Sequence, residues 1–446
     1  MARGEILHRA WLWRFCPSLA GLLLYLLFVA LWRAAPHAYA ALLWAADAMP
    51  QLPMPFNDLG AVLQADACWR HGVNVYAPSP CMHGGVYNYS PFLLHLARVA
   101  PSSRALMRGG VALGVVFLIA LSALPAPRTR AELALRLIST CSGSVIFALE
   151  RANIDVAMFL LTLLGISLLR ARSWVSLLGY AVFAFAAACK FYPAVLLALA
   201  ARERRVRLLS VAVCVICLGL LYLLVFAHGT LTAIDILPVG LPFAGIFGAM
   251  DIPFGLVLLH SMREWTLQPD AAQYLAAMAH PGAIPIIKLA QWALILAGLA
   301  AGIKTAPRYA YCLDQLDEAR RLPLLGGALV MVFCFYATQN IPYRAIFFLL
   351  TLPGLAAMAA TAQGRTRRII LSISYGIGFL LWQDALRNLV ATIARWLLPP
   401  RMVFYPEFIF WLSFECLWWW VIVQFTGVLV CFLRAAMDGL RWYAHE

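Results

Sequence analysis

The chain has 446 residues, of which 63% are hydrophobic and only 12% are charged, about half the charged share of an average soluble protein. This composition excludes a soluble globular domain, and uncharged runs of some 18 residues or more predict membrane-spanning helices. The net charge of +14 would suit a nucleic-acid-binding protein, but the basic residues form short clusters between apolar runs, which is typical of membrane-topology signals.

The apolar runs predict an all-α multi-pass protein of about twelve transmembrane helices, in one integral membrane domain that covers residues 1–446. The run 174–201 is divided in two, because Pro193 interrupts a helix and the arginines that follow are expected in the cytoplasm. With that break, the compact basic clusters and both termini are predicted to be cytoplasmic. The predicted spans are 15–33, 104–124, 133–149, 154–169, the two parts of 174–201, 207–227, 284–303, 322–338, 343–362, 368–385 and 408–433.

The first span begins after Arg3, Arg9 and Arg14, which favour a cytoplasmic N-terminus. Ala38-Tyr39-Ala40 resembles a signal-peptide cleavage site, so removal of the first span is an alternative. The apolar stretch is long for a signal peptide, and we therefore expect it to remain as a helix. Residues 34–103 are then an external loop.

Within this loop, residues 57–70 predict an amphipathic helix that is capped by Asn57 or Asp58 and lies along the membrane surface. Asp66 and Arg70 are four residues apart and are expected to pair on this helix. Cys68 and Cys81 are the only cysteines of the loop. An oxidising outer compartment would let them form a disulfide, and two free thiols are the alternative.

Polar residues collect at the predicted outer ends of the later helices. Charged side chains at membrane depth are costly and usually face a cavity or a partner. Since all these residues are predicted on the same side as Asp58, they indicate an external-facing site. They are Glu150, Arg151, Asn153, Asp155, Lys190, Tyr192, Gln339, Asn340, Tyr343 and Arg344.

Four local patterns resemble a known family. They are Phe56-Asn57-Asp58, Tyr87-Asn88-Tyr89-Ser90-Pro91, Glu150-Arg151-Ala152-Asn153-Ile154-Asp155 and Lys190-Phe191-Tyr192-Pro193, and they cover roughly the N-terminal half. In order and spacing they resemble the GT-C superfamily of polyprenyl-phosphate-sugar-dependent glycosyltransferases. Within it, they are similar to family 87, which contains mycobacterial polyprenol-phosphate mannosyltransferases. Ser90 stands where the family's pattern has Pro, and Ala152 where it has Gly, so its sugar and acceptor are not carried over.

The resemblance implies an inner-membrane enzyme with a GT-C-like bundle and a site on the external or periplasmic face. There a hexose or pentose would move, with inversion, from polyprenyl phosphate to a lipid-linked or envelope glycan acceptor. Polyprenyl-phosphate sugar and acceptor are then the partners, besides the lipid bilayer, and no cofactor or obligatory metal is expected. A flippase or transporter of lipid-linked glycans is the alternative, although no internal repeat of the transporter kind is visible.

The resemblance places Asp58 at the position of the family's catalytic base, the alternative being only a helix cap. Lys190 and Arg344 are candidates for the donor phosphate, and either could instead extend to the membrane interface. Arg151 is a weaker candidate, because Glu150 or Asp155 is expected to neutralise it. The other candidate substrate-binding residues are Asn88, Asn153, Tyr192 and Tyr343.

Overall fold

The computed structural model describes residues 2–47, 55–96, 102–171, 174–236, 240, 243, 245–261 and 282–442. Parts of the predicted external loop, residues 48–54 and 97–101, lie outside the described residues. In the described part of the chain, seven helices are long and apolar enough to cross a membrane, or nine when each of two bent pairs counts as one span. The chain is therefore a helical membrane protein, as its composition predicts.

The α-helices are labelled in chain order. They are α1 (Ala2–Ala34), α2 (Pro36–Asp47), α3 (Asn57–Arg70), α4 (Pro91–Leu96), α5 (Ser103–Ala120), α6 (Arg130–Thr140), α7 (Gly143–Glu150), α8 (Ile154–Leu169), α9 (Val175–Cys189), α10 (Arg205–Asp235), α11 (Asp251–Ser261), α12 (Ala283–Thr305), α13 (Ala310–Asp314), α14 (Glu318–Ala337), α15 (Phe348–Thr361), α16 (Gly364–Leu381), α17 (Gln383–Leu397) and α18 (Phe404–Trp442). Short 3₁₀ helices cover Pro80–Met82, Leu121–Ala123, Tyr192–Arg202, Ala306–Tyr309, Pro342–Phe347 and Pro400–Met402.

The break predicted at Lys190 is present and reverses the direction of the chain. Helix α9 ends at Cys189, Lys190 has an extended backbone, and a 3₁₀ helix follows from Tyr192 to Arg202. Near the far end of this hairpin, the hydroxyl of Tyr180 donates to Glu203 Oε1 at 3.0 Å. Tyr180, ten residues before Lys190, therefore contacts Glu203, thirteen residues after it, as expected for two antiparallel helices.

Basic clusters that are far apart in sequence meet at the end of the bundle opposite Lys190. Arg202 Nη2 lies 2.8 Å from Glu318 Oε1, at the start of α14. Arg128 pairs with Asp317 at 3.3 Å, and Arg136 forms a buried ion pair with Glu132. The described bundle thus has one end rich in paired arginines and another end that contains Lys190.

Two predicted spans differ from the structure. Residues 133–149 form two helices, α6 and α7, which are bent by 40° because Ser142 starts a new helix by accepting the N–H of Val145. After α16 the chain turns by 67° into α17, a helix that the apolar runs did not predict. Its apolar positions occupy only one face, so a search for uninterrupted apolar runs misses it.

Burial within the bundle distinguishes lipid-facing helices from central ones. Only 6% of the apolar window of α10 is buried in the protein, against 72% for α14. An exposed apolar helix is stable in hydrocarbon, so α10 is suited to a lipid-facing position. Helix α14 is central and leads directly to the polar segment that contains Asn340.

Candidate functional site

The site lies where three interruptions of the helices meet. One is the turn between α7 and α8, another is the hairpin turn at Lys190, and the third follows α14. Asp155, at the start of α8, connects them: its Oδ1 lies 2.6 Å from Lys190 Nζ and its Oδ2 lies 3.1 Å from Arg344 Nε. The predicted convergence of these polar segments is therefore present.

The start of α3 is fixed by the turn between α7 and α8. The backbone N–H of Asp58 donates to the carbonyl of Arg151 at 3.1 Å, and that of Phe56 donates to the carbonyl of Glu150 at 2.6 Å. The prediction that Asn57 or Asp58 caps the helix is wrong, because both are helical residues and no side chain caps α3. The Arg151 carbonyl, in the turn between α7 and α8, accepts the free N–H instead, which leaves the Asp58 carboxylate free for other contacts.

The Asp58 carboxylate is held from both sides. Arg151 Nε donates to Oδ1 at 3.2 Å, and Asn153 Nδ2 donates to Oδ2 at 2.6 Å. The side chains of Asp58 and Arg151 are 15% and 22% exposed, so the ion pair is not sealed from solvent. A carboxylate has about four acceptor positions, and the described residues fill two of them, Arg151 at Oδ1 and Asn153 at Oδ2.

Two residues beside Asp58 have left-handed backbones that are rare outside glycine. Phe56 has φ of 67° and Ala152 has φ of 45°. Such conformations cost about 1–3 kcal/mol each and often occur at functional sites. At Ala152 the positive φ would favour a residue without a side chain.

Asp155, like Asn153, has no exposed surface. Besides the two cations, it accepts a hydrogen bond from the hydroxyl of Tyr192 at 2.7 Å. Of the two acids expected to neutralise Arg151, Glu150 or Asp155, Asp155 does not, because it pairs with Lys190 and Arg344 while Arg151 pairs with Asp58. The two ion groups are distinct but adjacent, since Asn153 contacts Asp58 and also Asp155.

Aromatic rings enclose the two cations. Lys190 Nζ lies 4.9 Å from the ring centroid of Tyr89, and the guanidinium of Arg344 lies 4.7 Å from that of Tyr192. Both distances are within the range of cation–π attraction. Desolvation raises the pKa of Tyr89 well above its ordinary value, so its phenol stays a neutral hydrogen-bond donor.

A cavity of about 300 Å³ opens beside this cluster. Five of the predicted substrate-binding residues line it, namely Asn88, Lys190, Tyr192, Tyr343 and Arg344. Phe333 and Ile341 supply apolar surface, which gives the cavity the mixed character of a small-ligand site. Asp58, Arg151 and Asn153 are not among the residues that line it, and they connect to it through the Asn153–Asp155 contact.

The segment after α14 holds Arg344, and sequence reasoning did not assign its contacts. Asn340 accepts a hydrogen bond from Arg344 Nη1, and its backbone pairs with Phe247 at 2.8 and 2.9 Å. The neighbouring Gln339 donates to the buried Asp251 at 2.5 Å. In the sequence, an acidic residue next to an apolar run, here Asp155 or Asp251, was the signal that could have predicted a buried partner for Arg344 or Gln339.

In the predicted external loop, Cys68 and Cys81 form a disulfide with a Cα–Cα distance of 6.0 Å. The predicted pair between Asp66 and Arg70 is present at 2.5 Å. Among the described residues, no three His, Cys, Asp or Glu side chains are grouped to hold a metal ion. The expectation that no metal is required stays a prediction.

The cluster contains three cations and two carboxylates, so it has one positive charge in excess. Such an arrangement can hold an anion next to an oriented carboxylate. None of the family models, curated proteins or solved structures with which the chain was compared matches it.

Proposed function

We propose that the protein is a membrane glycosyltransferase that uses a polyprenyl-phosphate sugar as donor. It transfers a hexosyl or pentosyl group to a hydroxyl of a lipid-linked or envelope glycan acceptor, with inversion at the anomeric carbon. One observation carries the proposal: Asp58 and the cations Lys190 and Arg344 belong to one connected polar cluster, beside a cavity and at one end of a membrane bundle.

The reaction requires a base and a site for the leaving group. The acceptor oxygen attacks the anomeric carbon and its proton passes to the carboxylate of Asp58, whose orientation Arg151 and Asn153 fix. The bond from the anomeric carbon to the phosphate oxygen breaks, and polyprenyl phosphate leaves with the electron pair. A well-placed base contributes roughly 10²- to 10⁴-fold in rate.

The donor phosphate is assigned to Lys190 and Arg344, because both line the cavity. Cations that are fixed before the reaction stabilise the charge that develops on the departing phosphate. Asn88, Tyr192 and Tyr343 supply hydrogen-bonding groups at the cavity wall for the sugar or phosphate. The apolar surface of Phe333 and Ile341 is suited to the first isoprene units of the lipid.

We assign this end of the bundle to the external face of the plasma membrane, which in a two-membrane cell is the inner membrane. The arginine-rich opposite end is then cytoplasmic, as the positive-inside rule prefers. We count the short apolar helices α8, α9 and Tyr192–Arg202 as spans beside the nine longer candidates, and leave out the fourth short apolar helix, α11, which gives about twelve spans. An even number of spans puts both termini on the same side, which we assign to the cytoplasm. A short helix crosses the hydrocarbon only where neighbouring helices enclose its ends, as they do at Asp155.

The test is transfer by purified protein in lipid nanodiscs. Each polyprenyl-phosphate sugar of a panel is supplied with membrane lipid extract as acceptor, and the wild type is compared with Asp58→Asn. The proposal predicts a loss of about 10²-fold or more in the variant. Asp66→Asn is the matched control, because it makes the same chemical change in the same helix at the pair with Arg70.

Three outcomes contradict different parts of the proposal. Transfer that survives Asp58→Asn removes Asp58 from the chemistry. Equal losses in both variants indicate damage to α3 rather than loss of a base. No transfer from any donor, together with movement of lipid-linked glycan across a vesicle bilayer, favours the flippase.

A further inference from the structure

Lys190 and Arg344 are like charges on different elements, and both contact the same carboxylate. Lys190 is at the hairpin turn after α9, and Arg344 is in the 3₁₀ helix Pro342–Phe347. Their side chains are 11% and 13% exposed, so water screens their mutual repulsion poorly. A counter-charge is therefore required to keep the two cations close together in the absence of substrate.

Asp155 has the geometry for this. Each of its oxygens contacts one cation, at 2.6 Å for Lys190 and 3.1 Å for Arg344. The Tyr192 hydroxyl and the Asn153 cap fix the carboxylate and its backbone. A buried carboxylate is stable only when charges and hydrogen bonds of this kind surround it.

We infer that Asp155 is the positioning residue that keeps Lys190 charged and beside Arg344, so that the two cations form a preorganised binding site for a phosphate group. The assignment of phosphate as occupant rests on the proposed function, whereas the positioning itself does not. Asp155 makes no contact with the cavity, since it is absent from the residues that line it. It acts through the two cations and is not a catalytic residue.

The protonation state of Lys190 is a measure of the positioning role of Asp155, because loss of the carboxylate favours the neutral amine. An amine is acetylated only in its neutral form, so the rate at a fixed pH follows the neutral fraction. The groups that act on Lys190 from the surrounding elements are Asp155, Arg344, Asp58, Cys334, Tyr89 and Tyr192. Of the described groups, Asp155 is the one in direct ionic contact with the amine.

The experiment measures acetylation of Lys190 by acetic anhydride at pH 9, by mass spectrometry of the intact, nanodisc-embedded protein after digestion. Asp155→Asn should speed labelling by about 10-fold or more, the effect of losing a close opposite charge. Arg344→Gln should slow it, because the amine loses a like charge and retains Asp155. General loosening of the structure would instead speed labelling in both variants, and Asp66→Asn should leave the rate unchanged.

A folded Asp155→Asn protein with the wild-type labelling rate overturns the inference. If that variant does not fold, Arg344→Gln decides: slower labelling supports the positioning role, and an equal or faster rate overturns it. The readout requires neither donor nor acceptor. The labelling result can therefore support the positioning role of Asp155 even if no glycosyl transfer is detected. Conversely, if the enzyme is active but the labelling rate of Lys190 is unchanged in the variant, the proposed function is retained and the positioning role is rejected.

Discussion

The side-chain amide of Asn153 donates to Asp58 Oδ2 at 2.6 Å, which joins the start of α8 to the start of α3. The carbonyl oxygen of the same side chain accepts the backbone N–H of Asp155 at 2.8 Å and so caps α8. One asparagine therefore orients the proposed base and begins the helix that contains the buried acid.

The two contacts of Asn153 can be separated by substitution. Serine retains the cap but is too short to donate to Asp58, whereas alanine loses both contacts. We expect Asn153→Ala to lower the free energy of unfolding by about 1 kcal/mol and Asn153→Ser to change it little. Both should reduce transfer by at least about 10-fold if the orientation of Asp58 matters. Thermal melts and initial rates measure the two effects, and an Asn153→Ser enzyme with full activity would contradict the orienting role.

The positive φ of Ala152 predicts that Ala152→Gly stabilises the protein. Glycine adopts a φ of 45° without the steric cost that alanine has there. We expect a gain of about 0.5–1 kcal/mol in the free energy of unfolding. Ala134→Gly in α6 is the matched control and should lose about 1 kcal/mol, because glycine is unfavourable within a helix. A decrease in the free energy of unfolding in both variants would show that the backbone of Ala152 is not strained.

Arg344 uses two different nitrogens, Nε for Asp155 and Nη1 for Asn340. A lysine has a single ammonium group on a flexible stem and cannot reproduce this fork. Arg344→Lys is therefore expected to lower kcat/KM for the donor by about 10-fold or more, although the charge is retained. Arg321→Lys, at the arginine-rich end, is the comparison and should have near wild-type kinetics. Full activity of Arg344→Lys would show that charge alone is sufficient.

The disulfide closes a loop whose ends are 13 residues apart in the sequence. Closing a loop of this size contributes about 3 kcal/mol to stability by restricting the unfolded chain. The Cys68→Ser/Cys81→Ser double variant should unfold at a lower temperature than the wild type, and reductant should destabilise the wild type alone. Unchanged melting under reducing conditions would contradict this contribution.

The proposed topology predicts which surface residues meet reagents outside the cell. His83 and Gln363 are exposed; His83 lies in the predicted external loop, and Gln363 directly precedes α16. In spheroplasts, His83→Cys should react with a membrane-impermeant maleimide, and Gln363→Cys should react only after the membrane is permeabilised. The unsubstituted protein measures the background from native cysteines. The opposite labelling pattern would place the site in the cytoplasm.

The sequence determined the membrane-embedded helical character of the protein, because the length and apolarity of a run decide whether a helix can be buried in hydrocarbon. It also located the break at Lys190 and several residues of the polar cluster, since proline and buried charge are local signals. It could not reveal that Asp58 pairs with Arg151 or that Asp155 serves Lys190 and Arg344, because their partners are 93, 35 and 189 residues away. Only the tertiary structure decided these pairings, by bringing the interrupted ends of α8, α9 and α14 together where each buried charge requires a counter-charge.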